Sequence, residues 1–121
     1  GVATLEDGLY VVGDNLKDAA FKDKMVRFVR ASMKGWKYAE TNQAEAAEIV
    51  VNNDDSGAQT IDHNTTQMGE IAKLTAGSNG SLSETDFNRT VNSLMTGGSD
   101  PVITKKPVGA WSHAITDAAL N

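Results

Sequence analysis

The sequence predicts a mainly α chain of about five helices with a single strand near the N-terminus. Apolar residues recur at spacings of three, four and seven over most of the chain, the pattern of amphipathic helices. One stretch breaks that pattern: Leu9-Tyr10-Val11-Val12 is continuously apolar and bounded by Gly8 and Gly13, which reads as a strand buried on both faces. Both prolines, Pro101 and Pro107, fall in one segment outside the helical patterns.

Each element has a local reason. The strand covers Leu9 to Val12, where aromatic and β-branched side chains favour extended backbone. A long helix is expected from Ala19 to Glu40, capped by Asp18, with Phe21, Met25, Phe28, Val29, Met33 and Trp36 on one stripe. Gly35 inside it costs about 1 kcal/mol relative to Ala and marks a close helix contact. Asn42 with Glu45 resembles a capping box and opens a helix from Gln43 to Val51. A third helix runs over 60–76 and ends at Gly77. Ser83 and Asp86 open a fourth over 83–96, stopped by Gly97-Gly98. Ser99 to Val108 is an ordered loop, and a last helix over 109–120 carries Trp111, Ile115, Ala118 and Ala119.

Composition narrows the function classes. The chain has 121 residues, with 16 acidic against 11 basic side chains and a net charge of −5. General affinity for nucleic acid or anionic lipid needs clustered Lys and Arg, so the acidic balance argues against both. The lack of cysteine removes disulfides, thiolate metal sites and cysteine nucleophiles. The N-terminal residues show no basic segment followed by an apolar run, so no signal peptide is read there. No stretch is long and apolar enough to span a bilayer.

Catalytic and metal motifs are weak throughout. Asn52, Asp54, Ser56 and Gly57 fall on the first, third, fifth and sixth places of a calcium loop. The twelfth place is His63, where a bidentate Glu belongs, so a solvated loop is the reading. His63 and His113, the two histidines, lie in different helices and lack a third close ligand, so no metal is expected. No nucleophile elbow, P-loop or dinucleotide fingerprint occurs. The triplets at Asn64, Asn79 and Asn88 are coincidences of an Asn- and Thr-rich composition. Glu6, Asp7 and Tyr10 stand apart because polar groups beside a strand end often line a cleft.

The order of segments resembles a family. Leu5 through Val12 leads into a helix ending Phe28-Val29-Arg30-Ala31-Ser32-Met33-Lys34-Gly35-Trp36-Lys37-Tyr38-Ala39, and Asn42 through Val50 follows. This resembles the C-terminal part of the periplasmic substrate-binding proteins of ABC importers, in the nitrate/sulfonate/taurine and pyrimidine-precursor group. Gln43 stands where that pattern usually has Pro. Met68-Gly69-Glu70-Ile71, Gly97 through Val102 and Pro107 through Trp111 are similar to the family's closing helices.

The resemblance implies the C-terminal part of lobe I of a type II periplasmic-binding α/β fold, so residues 1–121 would be one partial domain. It implies a non-enzymatic, bacterial transport role without cofactor: capture of a small organic or anionic solute and delivery to an ABC permease. The parent would be periplasmic or lipid-anchored outside the cell. Asp7, Gly8 and Tyr10 are the expected ligand-binding residues. The strand Leu9–Val12 would pair with missing lobe segments, or with a second copy in a dimer. Two other classes fit less of the sequence: a PLP-dependent pyrimidine-precursor synthase on the same scaffold, and an autonomous helical interaction module.

Overall fold

A computed structural model describes residues 4–5 and 7–121 of the chain. Its elements, in order, are a 3-10 turn at Gly13–Lys17, then α1 (Ala19–Thr41), α2 (Gln43–Asn52), α3 (Ile61–Thr75), α4 (Glu84–Thr96) and α5 (Thr116–Leu120). The mainly helical expectation holds. The strand does not: among the described residues none is in a strand, and Leu9, Tyr10 and Val12 are 68%, 86% and 67% exposed.

The physical reason for that correction is the lack of a partner. A strand is completed by ladder hydrogen bonds to a neighbour, and no other segment here has strand character. The backbone beside Leu9–Val12 is held differently. The Leu5 N–H donates to Thr90 Oγ1 at 2.8 Å, and the Val12 carbonyl accepts from the Asn15 N–H at 3.0 Å. The second bond turns the chain directly into the 3-10 turn. Without a sheet, the expected periplasmic-binding α/β layer is also absent from the described residues.

Helix ends follow local chemistry. Asp18 Oδ1 accepts from the Ala20 N–H at 2.8 Å, Thr60 Oγ1 from the His63 N–H at 3.2 Å and Ser83 Oγ from the Asp86 N–H at 3.3 Å. Each satisfies an amide that the first helical turn leaves unpaired. The α1–α2 junction departs from the capping-box expectation. Asn42 Nδ2 reaches back to the Tyr38 carbonyl at 2.9 Å instead of serving the amides of α2. Only one residue separates the two helices, so the orphan carbonyls of α1 compete for the same side chain. Glu45 instead accepts a hydrogen bond from the Tyr38 hydroxyl.

The last helix is shorter than expected, Thr116–Leu120 rather than 109–120. Gly109 sits at φ +65°, a left-handed conformation incompatible with a helical start. Beyond it, Trp111 and His113 are drawn into a ring cluster. Phe87 meets Trp111 edge-on at 6.2 Å, Trp111 lies 4.8 Å from His113, and His113 Nε2 is 2.8 Å from the Leu82 carbonyl.

The chain divides into two compact units, Gly1–Val26 with Gly80–Asn121, and Arg27–Asn79. In the first, Val91 and Ala119 are buried. In the second, α2 packs on α3 through Ala46 and Ala47, the latter fully buried, since small side chains let the helix backbones approach. The C-terminal half of α1 meets α3 where Trp36, Ala39 and Glu40 face Met68, Ile71 and Ala72. Thr75 Oγ1 donates to Glu40 Oε1 at 3.3 Å across that seam.

These cores are thin. Among the described residues no large side chain is completely buried. The chain exposes 9004 Å², whereas two separately compact bodies of these lengths would together expose about 7600 Å². The surplus of about 1400 Å² is surface that compact bodies of this size bury.

Candidate functional site

Asp7, Gly8 and Tyr10 lie on one exposed segment of the first unit. The Tyr10 ring folds back over Gly8: its hydroxyl would lie 3.3 Å, and the nearest ring carbon 3.4 Å, from a Cβ placed on that glycine. A Cβ at position 8 would therefore press on the phenol, which would have to give by a few tenths of an ångström. The segment carries a carboxylate, Asp7, and a phenol, Tyr10, together with the exposed apolar side chains of Leu9 and Val12. Glu6, also singled out by the sequence, lies outside the described residues.

A concavity of the second unit lies elsewhere, at the end of α2 and the loop that leads to α3. Ile49, Val50, Asn53, Asp54 and Gln59 line an open depression there. Asp54 organises its floor. Its Oδ1 accepts from the Ser56 N–H at 2.9 Å and the Ser56 hydroxyl at 2.6 Å, and its Oδ2 accepts from the Gln59 N–H at 2.8 Å. The Ser56 hydroxyl is the largest influence holding the Asp54 carboxyl below its ordinary pKa, followed by the Gln59 and Ser56 amides. Hydrogen bonds to the charged form favour it.

The far side of this loop is anchored by Asn64, a buried polar side chain at 5% exposure. Its Nδ2 donates to Gln59 Oε1 at 2.9 Å and to the Thr60 carbonyl at 3.0 Å. The loop thus closes on itself: the Asp54 and Ser56 oxygens, two of the positions a calcium-loop pattern would direct at a cation, accept from the chain's own donors. Among the described residues, no group of three His, Asp or Glu side chains is placed to hold a metal.

The two histidines fall in different units. His63 is exposed in the first turn of α3. His113 donates from Nε2 to the Leu82 carbonyl, because a carbonyl can only accept, leaving Nδ1 as the acceptor nitrogen when the ring is neutral.

Three arrangements escaped the sequence reading: the buried Asn64, the Phe87–Trp111–His113 cluster and the Tyr38–Glu45 hydrogen bond. Tyr38 and Glu45 are seven apart across a helix junction, a spacing that carries no signal until the junction angle is fixed. The Glu45 carboxylate, chiefly through that hydrogen bond, raises the Tyr38 pKa above its ordinary value.

Comparison with known proteins adds no relative: no family model, no curated protein and no solved structure matches the chain.

Proposed function

We propose that this chain is a segment of a solute-binding protein serving an ABC importer, and that the parent delivers a small organic or anionic nutrient to a membrane permease outside the cytoplasm. The observation that carries the reading is the order and spacing of three segments, Leu5–Val12, Phe28–Ala39 and Asn42–Val50. The role is binding rather than catalysis, with no cofactor. Asp7, Gly8 and Tyr10 contribute to the solute site, the carboxylate and phenol supplying polar contacts and the bare glycine giving the ring room.

Two structural features support this assignment. The apolar run Leu9–Val12 is exposed, the condition of a segment covered by other parts of a longer protein. The surplus of about 1400 Å² of surface over compact bodies of this size agrees with it.

The test is thermal stabilisation of the longest natural polypeptide containing this sequence, with nitrate, taurine, alkylsulfonates and hydroxymethylpyrimidine as candidate solutes. A true ligand at a hundredfold excess over its Kd adds about 2.7 kcal/mol of stability. Asp7→Asn and Tyr10→Ala should weaken that effect without lowering the stability of the unliganded protein. A folded parent that none of these solutes stabilises refutes the reading.

A further inference from the structure

The loop between α3 and α4 holds the one Asn-Gly dipeptide of the sequence, Asn79-Gly80. Both residues are exposed and neither belongs to a helix. Upstream, the turn that closes α3 ends with the Ser78 N–H donating to the Thr75 carbonyl at 2.9 Å. Downstream, α4 starts only at Glu84, behind its cap Ser83. Gly80 sits at φ +83°, a conformation open to a residue without a side chain.

We propose that Asn79 is a site of spontaneous covalent modification, where the side-chain amide is lost through a succinimide and an aspartyl or isoaspartyl linkage is left. Solvent base removes the Gly80 amide proton, and the Gly80 nitrogen attacks Asn79 Cγ. The new Cγ–N bond forms, the Cγ–Nδ2 bond breaks, and Nδ2 leaves as ammonia with a proton from water. Water then opens the ring. Attack at the side-chain carbonyl gives the aspartyl product, and attack at the main-chain carbonyl gives the isoaspartyl one; Gly80 regains its N–H in both. The net change is amide plus water to carboxylate plus ammonium, with nothing oxidised or reduced. All reacting atoms belong to two bonded residues and to water, so access and local backbone freedom set the rate.

Two features select Asn79 over the other asparagines. Gly80 places no side chain beside the attacking nitrogen, whereas Asn15, Asn42, Asn52 and Asn53 are each followed by a residue that does. Asn64, Asn88 and Asn92 lie within α3 or α4, where the next amide is committed to the helix ladder, and Asn64 is only 5% exposed. Exposed loop backbone opens at free energies near zero, so folding leaves Asn79 nearly as reactive as in the unfolded chain. Conversion adds one negative charge to a chain already at −5, and the isoaspartyl form also lengthens the main chain by a methylene. The modification does not depend on the transport reading, and its failure would leave that reading standing.

Incubation of the full 121-residue chain at mildly alkaline pH, in native buffer and in concentrated urea, tests the proposal. The tryptic peptide Leu74–Arg89 holds both Asn79 and Asn88, so fragment masses compare a loop asparagine with a helical one in the same molecule. The expected result is amide-to-acid conversion at Asn79, with an isoaspartyl fraction, faster than at any other asparagine. The native rate should fall within about tenfold of the rate in urea, since tenfold already corresponds to about 1.4 kcal/mol of opening free energy. Asn79→Gln should leave position 79 unconverted on the same timescale, because the longer side chain must close a larger ring. No conversion at Asn79, faster conversion at another asparagine, or native protection beyond tenfold overturns the proposal. So does equal conversion in Asn79→Gln, or a product without any isoaspartyl fraction, which would exclude the succinimide.

Discussion

Replacing Asn64 by Ala tests how the α2–α3 loop is held. The side chain is 5% exposed and its amide makes two hydrogen bonds, to Gln59 Oε1 and to the Thr60 carbonyl. A neutral hydrogen bond contributes about 0.5–1.5 kcal/mol net, and a buried group left unpaired costs more. Here the stranded partners are spared most of that excess. Gln59 and Thr60 are exposed, so water can replace the lost donor, and the Thr60 carbonyl still accepts from the Asn64 N–H at 3.0 Å.

The expected loss is therefore about 1.5 kcal/mol, within the span set by two ordinary bonds. At the sensitivity of small domains, that lowers Tm by about 6–12 °C. Urea denaturation followed by circular dichroism measures it directly. A double-mutant cycle with Gln59→Ala should return a coupling of about 0.5–1 kcal/mol. An Asn64→Ala chain within about 0.3 kcal/mol of the parent, below any net hydrogen-bond value, would refute this account of the loop.

Further expectations concern caps, titration and packing. Thr60→Ala and Ser83→Ala should each cost about 1 kcal/mol in urea melts, since each hydroxyl accepts from an amide in the first turn of its helix. Because the folded chain holds the Asp54 pKa down, its contribution is present above the unfolded carboxyl value of about 3.9 and is lost as pH falls through the lower folded value. Asp54→Asn should flatten that acid-side loss in urea midpoints measured across this range. Glu45→Gln should bring the Tyr38 ionisation down towards its ordinary range in an ultraviolet difference titration, because the carboxylate that raises it is gone. Ala47→Leu should cost about 1–3 kcal/mol by overpacking the α2–α3 contact, where Ala47 is fully buried.

The four longer helices were legible in the sequence because their causes are local. Asp18, Thr60 and Ser83 cap three of them, the 3.6-residue period runs through their apolar positions, and the left-handed Gly77 at φ +78° closes the end of α3. Other features were illegible for the opposite reason. Asn42 looked like a cap for α2 until the adjacent end of α1 claimed its amide. Asn64 is a polar residue in a polar stretch, and only the path of the loop around it makes it buried.

The candidate site shows the same division. The family resemblance in the sequence pointed to Asp7, Gly8 and Tyr10, but the folding of the Tyr10 ring over Gly8 is a property of the tertiary structure alone. Composition and periodicity determined by themselves that the chain is mainly helical and lacks thiol chemistry, because helix propensity, capping and cysteine count act within a few residues. Tertiary structure decided that Leu9–Val12 is no strand and that the last helix shrinks to Thr116–Leu120. A strand exists only when a second backbone supplies its hydrogen bonds, and the residues before Thr116 were drawn from helix into contacts with Phe87 and Leu82.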